Sequence, residues 1–266
     1  MRLVREVAGR GRPVVLLHGG YGLDHTYLQP WIEADAQLIY PDLRGCGRTP
    51  REGLAEATLE TLCDDLEELR AELGHGRWTV LGHSFGSYVA QEYALRYPDR
   101  VEALALVGST PAFDYPDVVG ANLTARGTPE QAALLEKAVS APLSSDDEFR
   151  RGWNLLLPLY FHRFDPGIAQ RMDARMTYSA PALFHGFRML ARFNTLARLG
   201  ELERPVLVAT GRHDWITPPA QGADRLARGI PHARVAIFEE SGHFPFIEER
   251  ERFNAVLAEF LRSARR

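Results

Sequence analysis

The stretch Trp78-Thr-Val-Leu-Gly-His-Ser-Phe-Gly86 decides how the rest of the chain is read. Its apolar opening is a strand, and the segment after Gly86, to about Arg96, has helical character. Between them Gly82-His83-Ser84-Phe85-Gly86 spells G-x-S-x-G, a pattern common by chance on its own. In a strand-turn-helix setting it holds a serine in a tight, strained turn and exposes the hydroxyl. The flanking glycines permit close approach of neighbouring backbone, and the helix start directs N–H groups toward the turn. Ser84 is therefore the candidate nucleophile.

Working outward, apolar runs at Leu3–Val7, Val14–Leu17 and Leu38–Tyr40 read as strands before this segment, and Ala103–Val107 as one after it. Between them, Leu59, Leu62, Leu66, Leu69 and Leu73 recur at helical spacing, with acids between and Gly74 and Gly76 beyond. Alternating strands and helices predict a parallel sheet covered on both faces. From about Ala112 to Leu199 the rhythm breaks into helical patterning (Pro129–Val139, Asp147–Tyr160) punctuated by prolines. Strands return at Pro205–Thr210 and Arg234–Phe238, and a last amphipathic helix covers about Glu248–Leu261. The middle reads as a helical insertion into one sheet domain.

A serine hydroxyl needs a base, and the base needs an orienting acid. Asp214 follows the Pro205–Thr210 strand, and His243 lies in a Ser-Gly-His turn after the last strand. The order Ser84, Asp214, His243 is the one expected for a nucleophile elbow. Asp114 and Asp117 compete for the acid position, and His213 is a neighbour in the Asp214 loop. Oxyanion donors are expected from the backbone N–H of Phe85 and from an early loop, His18-Gly19-Gly20, with Gly20 preferred and Gly19 the alternative. His18 is expected to stabilise that loop.

Composition narrows the function classes. The 266 residues carry 45% hydrophobic and 25% charged residues, with 31 basic against 35 acidic side chains and a net charge of −4. Lys137 is the only lysine, and the arginines are scattered, so no nucleic-acid or membrane partner is expected. Cys46 and Cys63 fit neither a disulfide framework nor a zinc site, and no metal or cofactor is implied. No apolar run reaches a membrane span or a signal peptide, so a cytoplasmic protein is expected.

His18-Gly-Gly20, Asp42-Leu-Arg-Gly-Cys-Gly-Arg-Thr49, Gly82–Gly86, Gly211-Arg-His-Asp214 and Ser241-Gly-His243 together resemble the α/β-hydrolase superfamily. The resemblance implies an α/β-hydrolase fold: a mostly parallel central sheet with helices on both faces and a helical cap inserted after the sixth strand. The core would comprise residues 1–111 and 201–266, and the cap residues 112–200. Within the superfamily, the His18–Leu28 segment resembles proline iminopeptidases, with Tyr21 where that family has proline. Phe85 and Ser87 also depart from its elbow, which usually carries tryptophan and glycine there. Around Trp153 there is none of the glutamate with which that family holds a free amino terminus; Asp165 and Asp173 are conceivable substitutes.

The resulting expectation is a serine hydrolase that cleaves an ester or amide through an acyl-enzyme, on a small-molecule or short-peptide substrate such as an N-terminal proline or aminoacyl amide. The alternative is a carboxylesterase or carbon–carbon bond hydrolase without peptidase activity. A hydrolase-like receptor is a further, weaker reading. Gly19, Tyr21, Trp153 and Tyr160 are the expected substrate-binding residues. Leu156, Leu157, Phe161, Phe184 and Phe187 suggest an apolar pocket under the cap.

Overall fold

A computed structural model describes residues 1–264. Seven strands form one sheet: β1 (Arg5–Ala8), β2 (Pro13–Leu17), β3 (Gln37–Pro41), β4 (Trp78–His83), β5 (Val101–Val107), β6 (Val206–Gly211) and β7 (Arg234–Phe238). Their order is β1-β3-β2-β4-β5-β6-β7, and every pairing is parallel except that of β1 with β3. Parallel strands need crossovers, and helices supply them.

The central strands are apolar throughout because both faces are covered. Val15, Leu17, Val80, Leu104, Leu106 and Val208 share one buried core with side chains of α1 (Leu59–Glu72) and α2 (Phe85–Arg96). Val14, Leu16, Leu81, Ala105, Val107 and Leu207 belong to the opposite core. In that core Phe253, Leu257 and Phe260 pack from the C-terminal helix. The leucine stripe of α1 is the buried one, and Thr58 caps the helix through a reciprocal capping box with Thr61.

Between β5 and β6 lie five helices: α3 (Pro116–Arg126), α4 (Pro129–Ser140), α5 (Asp146–Leu156), α6 (Pro166–Asp173) and α7 (Ala180–Leu190). The insertion thus follows the fifth strand in chain order, not the sixth, because the chain before β3 contributes only two strands. The helix expected over Asp147–Tyr160 tightens into a 3-10 turn at Leu157–Tyr160, where Pro158 removes a backbone donor. After β6 come α8 (Ala223–Gly229), α9 (Pro245–Glu248) and α10 (Arg250–Ser263). The last expected helix is therefore divided at Glu249, whose backbone (φ −121°, ψ 50°) is not helical. Among the described residues no helix is long and apolar enough to cross a membrane.

Candidate active site

Ser84 sits where β4 ends and α2 begins, outside the carboxyl edge of the sheet, the usual location of ligand sites in open α/β folds. Its backbone (φ 52°, ψ −122°) makes it the one non-glycine residue at positive φ among the described residues. Such a conformation costs on the order of 1–3 kcal/mol and persists only when the surroundings enforce it. Here they do. Ser84 N–H donates to the Val107 carbonyl at 2.9 Å, and the Ser84 carbonyl accepts from Ser87 N–H at 2.8 Å. A Cβ on Gly82 would lie 2.4 Å from the Gly86 carbonyl oxygen, and one on Gly86 would lie 2.2 Å from that of Leu17. The two glycines of the motif are thus required by backbone packing as well as by the turn.

Asp214 and His243 come from the loops after β6 and β7. His243 Nδ1 donates to Asp214 Oδ2 at 2.6 Å, with both side chains buried. Thr217 Oγ1 donates to the same oxygen at 2.6 Å, while the N–H groups of Ile216 and Thr217 hold Oδ1 at 3.0 and 2.9 Å. Burial opposes ionisation of Asp214, but the His243 contact and the Thr217 donors outweigh it and hold the carboxyl below the usual carboxylate range. Among the described residues His243 Nε2 is buried without a protein partner, and the Ser84 hydroxyl has no hydrogen-bond partner. Asp114 and Asp117 lie elsewhere: Asp114 is exposed and paired with Arg225, and Asp117 is exposed in the first turn of α3. His213 stacks on His162 at 3.7 Å, away from this contact.

The His18-Gly19-Gly20 loop runs alongside. A Cβ on Gly19 would lie 2.5 Å from Ser84 Cβ, so only glycine allows the loop this close. Gly19 N–H donates to the Tyr27 hydroxyl at 2.6 Å, whereas the N–H groups of Gly20 and Phe85 have no protein acceptor among the described residues. Of the two glycines weighed as oxyanion donors, Gly19 thus has its N–H occupied by Tyr27 and Gly20 does not. His18 donates from Nδ1 to the Gly19 carbonyl and accepts the Leu43 N–H at Nε2, holding its loop as expected.

Sequence reasoning missed the groups that lock these loops together. The Tyr27 hydroxyl donates to His83 Nδ1 at 2.6 Å, and His83 Nε2–H donates to the His243 carbonyl at 2.9 Å. One neutral imidazole thus joins three loops: that of Gly19, the nucleophile turn and that of His243. Burial, reinforced by the neighbouring His243, keeps the His83 pKa well below its ordinary value, as this bonding pattern needs. Glu248 makes a second clamp, accepting from the N–H groups of His162, Arg163 and Gly242 at 2.7–2.9 Å. His243 N–H donates to the Tyr160 carbonyl at 2.7 Å. Apart from the Gly242–Glu248 bond, these contacts link residues 56 to 160 positions apart, and only an x in the G-x-S-x-G pattern marked His83.

A cavity of about 120 Å³ opens beside Ser84, comparable to engineered cavities of about 150 Å³ that admit benzene. Gly20, Tyr21, Ser84 and Phe85 form its floor, and Trp153, Leu156, Tyr160 and Phe187 contribute to its roof. Leu157 and Phe161 are instead packed in the core, and Phe184 does not line the cavity. Tyr21 stacks on Phe85 at 4.7 Å, and Tyr160 bridges from His243 (5.4 Å) to Trp153 (5.1 Å). Among the described residues no Asp, Glu, Lys, Arg or His lines the cavity. Asp165 caps α6, and Asp173 is tied to Arg150, Asn154 and Tyr178.

The alpha/beta hydrolase fold family matches residues 12–250. The chain is 30% identical to a proline iminopeptidase of Clostridioides difficile over 98% of its own length and 93% of the relative's. It is 31% identical to a pimeloyl-[acyl-carrier protein] methyl ester esterase of Nitrosomonas europaea, over 93% and 95% of the two chains. Its structure resembles a thermophilic esterase from Thermogutta terrifontis with a TM-score of 0.73 and 27% identity, covering 98% and 93%. The strained serine turn, the parallel sheet and the matched span agree: this chain belongs to the α/β hydrolase fold family.

Proposed function

We propose that this hydrolase cleaves small, neutral carboxylic esters through an acyl-enzyme on Ser84. The observation that carries the reading is that, among the described residues, no Asp, Glu, Lys, Arg or His belongs to the cavity lining beside that serine. An aminoacyl substrate would bring an ammonium group, and burying it without a counter-charge is costly. An ester with an apolar acyl or alcohol group meets no such penalty.

In this reading His243 Nε2 takes the Ser84 proton as Oγ attacks the ester carbonyl, and Asp214 holds the ring and stabilises the imidazolium that forms. The N–H groups of Phe85 and Gly20 stabilise the tetrahedral oxyanion. Collapse expels the alcohol, which receives the proton from His243. Water, deprotonated by the same ring, then attacks the acyl-enzyme and releases the acid and Ser84.

The test compares p-nitrophenyl butanoate with proline p-nitroanilide. The expected outcome is a kcat/KM higher for the ester by at least about 100-fold after correction for intrinsic reactivity, a difference of roughly 2.7 kcal/mol. Faster corrected turnover of the arylamide would establish the aminopeptidase reading instead.

A further inference from the structure

Two polar atoms on the cavity wall have no part in the chemistry just described. Tyr88 reaches the cavity from α2, below, and Tyr160 from the turn after α5, above. Tyr88 is only 2% exposed, yet neither its hydroxyl nor that of Tyr160 has a protein hydrogen-bond partner, and neither is among the sealed polar atoms of the interior. Most other buried phenols are satisfied: Tyr21 donates to the Arg44 carbonyl, Tyr27 to His83, Tyr93 to Glu67 and Tyr115 to the Ile216 carbonyl; Tyr40, which does not line the cavity, is the exception. Buried hydroxyls are as a rule paired, so two unpaired donors on one cavity point to a ligand that pairs them.

Burial raises the pKa of both phenols, so both stay protonated and can donate. With no cation in the lining, an anionic acceptor would be left uncompensated. Resting on the ester-hydrolase reading, we infer that Tyr88 and Tyr160 bind a second oxygen of the substrate, a neutral keto, ether or ester oxygen carried on its otherwise apolar acyl or alcohol group. The two tyrosines are then specificity residues that select oxygen-bearing esters over plain alkyl ones.

Two isosteric substrate pairs test this: p-nitrophenyl 4-oxopentanoate against the pentanoate, and 2-methoxyethyl butanoate against butyl butanoate. Each rate is normalised to hydroxide-catalysed hydrolysis. The expected result is a kcat/KM preference of about tenfold for the oxygen-bearing member of at least one pair. That preference should drop about fivefold in Tyr88→Phe or Tyr160→Phe, the loss of one net hydrogen bond. The ratio within a pair is the readout, so a general loss of activity in a variant does not mimic the effect. If neither pair shows a preference while plain esters are turned over and Ser84 reacts with a fluorophosphonate, the inference is overturned and the ester-hydrolase reading stands. A preference unchanged in both phenylalanine variants overturns it equally. If no ester is turned over and Ser84 does not react, the underlying reading has failed and takes the inference with it.

Discussion

The floor and the roof of the cavity are built by different means. On the floor, the groups that hold the loops in place are hydrogen-bonded: Asp214 has four donors, His83 bridges three loops, and Gly19 abuts Ser84. The roof is aromatic and aliphatic side chains from α4, α5, α7 and the Leu157–Tyr160 turn, held by packing. Hydrogen bonds have direction, so a floor built from them fixes atoms to within the tolerance that proton transfer needs. Apolar packing specifies volume more than position, so a roof built from it can change shape between relatives without disturbing the floor. That division fits a family in which similar chains include both an iminopeptidase and a methyl ester esterase.

The sharpest way to break this contrast is on the floor. Asp214→Asn keeps the shape but removes the charge that His243 needs as it becomes imidazolium, and it favours the wrong ring tautomer. A fall in kcat on the order of 10⁴, with KM little changed, is the expected outcome for such a triad member. Steady-state kinetics on a p-nitrophenyl ester measures it; a loss of less than tenfold would mean the acid is elsewhere.

The floor should also show itself in stability. His18 and His83 have pKa values lowered by burial from the ordinary 6.5. Both stay neutral when folded and take up protons when unfolded, so below pH 6.5 the unfolded state binds more protons. Stability is then expected to fall as pH drops below 6.5, by up to about 1.4 kcal/mol per pH unit for each histidine. Urea denaturation at pH 7.5, 6.5 and 5.5 reads this directly. His83→Gln should flatten the slope by about half, whereas an equally steep slope in the variant would place the acid sensitivity in other groups.

The roof predicts the smallest effect and a different kind. Phe187→Ala should shift the preferred acyl length and change kcat/KM several-fold, on the scale of one or two methylenes in a pocket. Its labelling rate with a small fluorophosphonate should stay within about threefold of the parent. A collapse in that rate would show that the roof also positions the chemistry.

The same contrast explains what the sequence revealed. The parallel sheet was legible because its central strands are apolar on both faces and the α1 leucines keep helical spacing. Ser84 was legible because its turn demands Gly82 and Gly86 on steric grounds, and such demands leave a pattern in the chain. Asp214 and His243 followed from their order after strands. Nothing local announced Tyr27, His83 or Glu248, each of which has a partner at least 56 positions away and is of an ordinary residue type. Gly19 and Gly20 were indistinguishable as donors because an N–H can be judged free or occupied only once Tyr27 is in place. On the roof, aromatic residues that line the cavity, such as Trp153, and those that fill core, such as Phe161, follow the same apolar pattern. Only packing separates them. The backbone break at Glu249 and the tightened turn at Leu157–Tyr160 moved helix ends without changing which helices exist.

If the strained turn presents Ser84 as the nucleophile, covalent labelling will find it there. The protein should take up one fluorophosphonate, located at Ser84 by peptide mass spectrometry. Ser84→Ala should take up none while retaining the far-ultraviolet circular dichroism of the parent. Label on a different residue, or undiminished label in the Ser84→Ala protein, would place the nucleophile elsewhere.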